Sequence, residues 1–574
     1  MKPTSNSDED VAAVLQSSES EKDSTSNEEG EEFLPGNEEP CSSSEEEKEE
    51  VKMELDSQWR SKNGEILWCP THEETLPYFP SSILTPGPTH YATARISSPV
   101  SAFDLLFAED LMQLVRHFTN LQGKRSIKDW KDVEEEELRA YMGLLILAGL
   151  YRSQHESTIS LWDGVTGRVF FSATMSQKRF QQINQALRFD DRLSRSGGRE
   201  NKLGPIKDLW SKWSSRLPKF FNPGRDICVD EQLVPFRGRC SFKQYMRLKP
   251  AKYGLKIWAL CDVKTAYAWR LQLYTGRSET AKRQVSQGMQ VVLDLTDGLK
   301  GHTVTMDNFF TSFPLAEELR KRKMALVGTL RINKPELPPQ LLNIQRRELM
   351  SSVFAFSHNA ALVSYVPKKS RNVLLLSTKH REPQVEISGK KKPQIILDYN
   401  KCKGAVDHLD QVCGNYSCRR RTRRWPMCLL YHMLDVSCYN AFVLFTAVDT
   451  EWNRGKGHIR RLYIDQVGRA LITPTMMKRN YLPRTSFALS LVLQAQGREQ
   501  QKQAKEEEQQ EEEEEQQEEE EEQQQEEEWE SPSKKRKQCA SCTQRKRIIT
   551  NCNRCGAPVC KIHLKTLCGL CYKK

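Results

Sequence analysis

Three aspartates stand in three separated settings: Asp230 in ICVDEQLVPFRGR, Asp307 in HTVTMDNFFTS and Asp407 in KGAVDHLDQVC. Divalent-metal chemistry on a phosphodiester needs such carboxylates, drawn together from distant parts of a chain. Two metal ions about 4 Å apart activate the attacking oxygen and stabilise the leaving one. Mg²⁺ prefers carboxylate oxygen and keeps part of its water, so a few aspartates suffice to hold it. A single aspartate says little, because most are solvated surface groups or caps. The settings carry the argument. Asp230 and Asp307 each follow an apolar, β-prone run, where a charge is costly unless something uses it. Asp410 lies three residues beyond Asp407 on one face of a predicted helix. It is either an assisting carboxylate or an acidic residue favoured near a helix start.

After this helix comes SCRRRTRRWPM. Arg419, Arg420, Arg421, Arg423 and Arg424 are packed into six residues, and Trp425 follows. Guanidinium groups grip phosphate bidentately, and a tryptophan stacks on or wedges beside bases. Charges so close together repel unless an anion offsets them, which points to DNA contact. The alternative is a solvated basic helix end with an ordinary buried tryptophan.

The C-terminus carries eight metal-ligand residue types in pairs: Cys539, Cys542, Cys552, Cys555, Cys560, His563, Cys568 and Cys571. The pairs are Cys-x2-Cys or Cys-x2-His, and they fit two tetrahedral Zn²⁺ sites. A segment this short has little core, so metal must stabilise it. The alternation suggests a cross-brace, with Cys539, Cys542, Cys560 and His563 at one ion and Cys552, Cys555, Cys568 and Cys571 at the other. Spacing alone leaves the pairing open, and leaves open what the module binds.

Charge is strongly partitioned. The formal net charge is +10, yet residues 1–60 carry 19 acidic and 5 basic side chains, and residues 506–530 carry 17 glutamates and no basic residue. The rest of the chain therefore holds a net +41. A body this basic implies a polyanion partner, most simply nucleic acid. No apolar run of about 18 residues is apparent, so no membrane span is expected. The start, MKPTSNSDEDV, lacks the order of a secretory signal. The 17 cysteines then read as thiols or metal ligands of a nuclear or cytoplasmic protein, not disulfides. The run SPSKKRKQ at 531–538 reads as a nuclear-import signal open to importin.

Periodicity gives the elements that must position these residues. Residues 1–97 form an acidic, Ser/Glu/Pro-rich tail, read as disordered. Residues 98–226 show three- and four-residue apolar steps, as in FDLLFAEDLMQLVRHFTNLQ, and read as helices. Residues 227–333 alternate as strands in ICVDEQLVPF, YGLKIWALCDV and YAWRLQLYTG, followed by helix, strand, helix and strand. That order predicts a mixed α/β unit, not a doubly wound one. Residues 334–390 read as a Pro/Lys-rich insertion with short strands, and 391–416 carry the third aspartate. Residues 417–500 return to helix, with LLYHMLDVSCYNAFVLFTAV apolar almost all round. Residues 501–538 are a Glu/Gln-rich linker, and 539–574 the cysteine-rich module.

Several motifs in order make a resemblance specific: VDEQLVPFRGR at 229–239, KPAKYGLKIW at 249–258, MDNFFTSFPLAEEL at 306–319, VGTLRINK at 327–334, GAVDHLDQVC at 404–413 and RRWPM at 423–427. From about residue 98 to its end the chain resembles transposases of the piggyBac family. The resemblance implies an α/β, RNase H-like catalytic core interrupted by an insertion domain. It implies a flanking all-α dimerisation and DNA-binding domain built from 98–226 and 417–500, and a terminal zinc cross-brace. Asp230, Asp307 and Asp407 would be the metal triad for Mg²⁺ or Mn²⁺, with Asp410 as a fourth carboxylate. The implied reaction is cut-and-paste transfer at TTAA through hairpin ends, by a homodimer acting on terminal inverted repeats of double-stranded DNA in the nucleus. A host-adopted DNA-binding or chromatin protein keeping the fold is the competing class. A zinc-module reader or ubiquitin ligase is a third.

Overall fold

The computed structural model describes residues 58–71, 84–195, 202–276, 286–498 and 550–559. The chain divides into two units, Met1–Gln496 and Gly497–Lys574. In the first, helices precede the sheet. Ser98 opens α1 (Pro99–Leu106) with a reciprocal capping box to Ser101, and Pro99 takes the first helical position. In α2 (Glu109–Ser126), Glu109 and Asp110 fill the first turn and Lys124 and Arg125 the last, matching the helix dipole. α3 (Glu135–Leu150) begins with three glutamates and then buries every residue from Ala140 to Leu150. α4 (Gln177–Ala186) and α5 (Lys207–Ser214) follow.

The chain then forms a nine-stranded mixed sheet. Its strands are β1 (Asp226–Pro235), β2 (Gln244–Tyr245), β3 (Tyr253–Asp262), β4 (Ala268–Leu273), β5 (Thr303–Met306), β6 (Ala325–Thr329), β7 (Ser352–Phe356), β8 (Ala361–Tyr365) and β9 (Val373–Ser377). The spatial order runs β7-β8-β9-β6-β5-β1-β3-β2, with β4 also on β3. β1, β3 and β4 are an antiparallel meander, whereas β5 and β6 join β1 in parallel. The parallel pairs need helical crossovers, supplied by α6 (Gln287–Leu295) and α7 (Phe313–Lys321). β5 and β6 are buried along their whole length, as parallel strands covered on both faces must be. Residues 334–390, expected as an insertion, supply β7 to β9, and these extend the same sheet beyond β6.

Helices α8 (Gln394–Cys402) and α9 (Ala405–Asn415) then lead back across the sheet. α10 (Trp425–Val448) is the core helix, with α11 (Ile459–Met477) and α12 (Ser486–Ala495) after it. α10 corrects one expectation. By length and composition it is apolar enough to span a membrane, but 94% of its most apolar window is buried inside the protein. Its polar residues bolt it down. Asn440 accepts from the Ala268 N–H and donates to the Ala268 carbonyl, both at 2.9 Å. Tyr439 donates to the Thr265 carbonyl at 2.8 Å, and Trp213 of α5 donates to Ser437 at 2.9 Å.

Helices from before and after the sheet pack together where α3 meets α11. A Cβ on Gly143 would lie 2.8 Å from the Leu471 Cβ, and one on Gly468 would lie 2.7 Å from the Leu147 side chain. Close approach, not backbone freedom, requires glycine at both positions. Gly143→Val or Gly468→Val is expected to cost about 1–3 kcal/mol of stability by overpacking. Gly457→Ala, with nothing within 4 Å of its new methyl, should stay within about 0.5 kcal/mol of wild type. Denaturant unfolding followed by circular dichroism checks both.

Candidate functional site

Strand register brings the first two aspartates together. Cys228 pairs with Thr305 and Val229 with Met306 across the parallel β1–β5 ladder. The next positions along this register are Asp230, within β1, and Asp307, just past the end of β5. Residues on one rung share a face, and neighbouring strands lie about 4.8 Å apart. Asp307 ends its strand by turning the chain: its carboxylate accepts the Phe309 N–H at 2.9 Å, and its carbonyl accepts the Thr311 hydroxyl at 2.7 Å. Asp230 accepts the Glu231 N–H at 2.8 Å.

The other two acids arrive on α9, which packs on β1 and β3. Gln232 lies two residues beyond Asp230, hence on the same face, and is fully buried. Its amide donates to Asp410 Oδ1 at 2.6 Å. Asp407, in the first turn of α9, is exposed and pairs with Lys249 Nζ at 3.0 Å. Asp410 thus touches the strand that carries Asp230, while Asp407 faces the open side.

Burial dominates the electrostatics, and crowding of like charge adds to it. Burial, then Glu231 and Asp307, push the Asp230 carboxyl well above its ordinary range. Burial, then Glu231, push Asp307 up to about 6. Burial pushes Asp410 up to about 6 against the opposing pull of Lys249. Burial works against a charged Lys249, but Asp407, Asp230 and Asp410 together hold it above its usual value. Lys256, 3.6 Å from Glu231, is a second nearby cation.

These carboxylates fit a hard divalent ion by donor type and by uncompensated charge. Among the described residues, however, no three His, Cys, Asp or Glu side chains converge into a ready-made metal shell. Asp407 is turned toward Lys249, and each of the other acids has a hydrogen bond of its own.

The arginine segment divides in two. Arg420 donates to the carbonyls of Ser153 and Glu156, and Arg424 to those of Asn184 and Leu187. Burial lowers both, Arg424 to about 10. These two pin the segment to the N-terminal helices. Arg421 and Arg423 are exposed. With Arg419, Arg237, Arg239 and Lys243, and with Arg420 as well, they line a basic cavity of about 1150 Å³. Gly238 lets the β1–β2 loop lie against this segment, since a Cβ there would sit 3.0 Å from the Arg423 carbonyl. Trp425 is half-buried and packs edge-on against Phe242, with ring centroids 5.1 Å apart.

Of the cysteine-rich module, Cys552 and Cys555 lie in the described residues. They flank the turn of a short hairpin, Thr550–Asn551 with Pro558–Val559. Gly556, at φ +69, donates to the Cys552 carbonyl at 2.9 Å. Cys539, Cys542, Cys560, His563, Cys568 and Cys571 fall outside the described residues, as does the basic run at 531–538.

Sequence reasoning missed Gln232, Glu231 and Lys249. Gln232 was findable: strand alternation puts it on the face of Asp230. Lys249 sat inside a quoted motif, but nothing in the sequence tells that its side chain reaches a residue 158 positions away.

Known proteins match this architecture. The family model described as Transposase IS4 matches residues 98–442. The chain is 22% identical over 387 residues to PiggyBac transposable element-derived protein 3 of Homo sapiens, covering 64% of each chain. It is 21% identical over 373 residues to the human PiggyBac transposable element-derived protein 2, covering 60% of this chain and 61% of that one. The match thus spans less than two thirds of either relative. Among solved structures, a cryo-EM structure of a piggyBac transposase synaptic complex with hairpin DNA is similar, with TM-score 0.68 and 29% identity. That match covers 85% of this chain and 100% of the other.

One carboxylate beside the site offers a stability test. Asp435 on α10 accepts from the Ser417 hydroxyl at 2.6 Å and the Cys418 N–H at 2.8 Å, anchoring the start of the arginine segment. Burial pushes it up to about 7. Below its unfolded pKa of about 4 it is protonated in both states; as pH rises to about 7, the unfolded chain releases a proton that the folded chain keeps, so its contribution is lost. Asp435→Asn removes this loss. Its melting temperature relative to wild type should rise across that window, as read by thermal melts at acidic, neutral and mildly alkaline pH.

Proposed function

The chain belongs to the piggyBac family of transposases, and from that premise we propose that it cuts and rejoins DNA by metal-dependent phosphoryl transfer at Asp230, Asp307 and Asp407. One observation carries this reading: parallel pairing sets Asp230, within β1, next to Asp307 at the end of β5, and α9 brings Asp410 onto Gln232 of the same strand β1. The sheet order β4-β3-β1-β5-β6 supports an RNase H-like core. Bound Mg²⁺ or Mn²⁺ supplies Lewis acidity and an activated oxygen nucleophile. The protein's own part is to hold and orient. Gln232 fixes Asp410 against β1. Arg419, Arg421 and Arg423, with the basic cavity, take phosphates and set the register of the duplex. Arg420 and Arg424 hold that surface in place.

The finer reading is cut-and-paste transfer at TTAA through hairpin ends, on double-stranded DNA, by a homodimer in the nucleus after import through 531–538. The solved relative bound to hairpin DNA supports the substrate. The helical segments 98–226 and 417–500 serve dimerisation and DNA binding. The cysteine-rich module, with two Zn²⁺, reads the transposon end. A second reading is a host-adopted DNA-binding protein that keeps this fold without mobility, favoured by relatives named transposable element-derived.

Strand cleavage and hairpin formation on labelled, TTAA-flanked end DNA with Mg²⁺ tests the two readings. Wild type should form hairpins, whereas Asp307→Asn should lose at least about 100-fold in cleavage with DNA affinity largely kept, because it removes a metal ligand and no basic surface. Specific binding by wild type without cleavage on a verified cognate end would favour the second reading. Removing 539–574 should weaken end-specific binding, measured by gel shift, more than it weakens strand transfer from pre-nicked DNA.

A further inference from the structure

Lys249 sits on the arm between β1 and β3, which folds back through β2 onto Tyr253 and Gly254. The arm is firmly rooted. Gly254 lies so close to β1 that a Cβ there would come 2.3 Å from the Val234 carbonyl oxygen. At its tip, Lys252 adopts a left-handed φ of 55°, donates to the Lys249 carbonyl at 3.0 Å and accepts from Met246 at 2.8 Å. Pro250 restricts Lys249 itself. From this rooted arm the Lys249 side chain reaches the acids.

There the ammonium takes Asp407 at 3.0 Å, and its charge also acts on Asp230 and Asp410. The Lys249 side chain is only 19% exposed, whereas Asp407 is 67% exposed. Both line a cavity of about 510 Å³ that also contains Asp410. The pair therefore stands at an open wall, within reach of an arriving ion. A compact cation among hard carboxylate oxygens stands where a divalent ion would be attracted. A carboxylate paired to an ammonium is a poorer ligand for a second cation, because the two positive charges repel.

We propose that Lys249 is a built-in counter-ion that holds Asp407 in the metal-free enzyme and must be displaced from it when the divalent ion binds. This rests on the metal-dependent reading above and adds a competitor to it. The exchange lets the acids be buried together before metal arrives. It also makes occupancy of the site depend on a residue of the basic arm.

The test is Mn²⁺ titration of the full-length protein by calorimetry without DNA. Lys249→Gln should bind Mn²⁺ about tenfold more tightly than wild type, as removal of one opposing charge at a carboxylate implies, and Lys249→Arg should stay near wild type. Equal or weaker binding by Lys249→Gln overturns the proposal while leaving the metal site standing. No Mn²⁺ uptake by wild type or variant overturns both the proposal and the metal-dependent reading. A measurement on unaltered protein guards against misfolding of the variant. Acetylation of Lys249, followed by peptide mass spectrometry, should accelerate when Mg²⁺ is added, and an unchanged rate overturns the proposal.

Discussion

Carboxylates forced together away from water are the constraint on which the rest of this structure depends. Left to themselves, Asp230 and Asp307 would separate or take up protons. The backbone denies them separation. Parallel pairing of β1 with β5 fixes one rung, and two crossover helices hold that pairing buried. Such an arrangement is unfavourable for the fold by itself, which is what motivates the metal-dependent reading proposed above.

The helices answer a different demand. A sheet end that carries buried charge cannot rely on that end for stability, so the anchoring comes from elsewhere. α10 supplies it, with apolar residues all round and Asn440 bridging to both backbone groups of Ala268. Packing of α3 on α11 joins chain segments that flank the sheet in sequence. The acids are thereby held by a scaffold whose stability owes little to them.

Much of this was legible in the residues. Alternation in ICVDEQLVPF and YGLKIWALCDV marked the central strands, and the setting of Asp307 marked a strand end, whereas Asp230 lies within a strand that runs on to Pro235. The helix holding Asp407 and Asp410 was readable from its spacing. Less was legible where long-range partners decide the outcome. The strand Ser352–Phe356 has no strong period of its own and is set by pairing with Ala361–Tyr365. The apolarity of α10 invites two explanations, core or membrane, and only its packing separates them. The arginines of 419–424 look equivalent in sequence, yet their roles diverge because carbonyls of Ser153, Glu156, Asn184 and Leu187 lie within reach of just two of them.

That division bears on how the protein responds to ionic strength. Affinity for a polyanion falls with salt according to how many condensed counterions the protein releases, and each release requires a cation placed on a phosphate. Guanidiniums already held by backbone carbonyls, as in Arg420 and Arg424, offer fewer donors for that exchange. On the proposed function, the slope of log affinity against log salt is set by the exposed arginines and the basic arm, and is shallower than a count of arginines in the sequence implies.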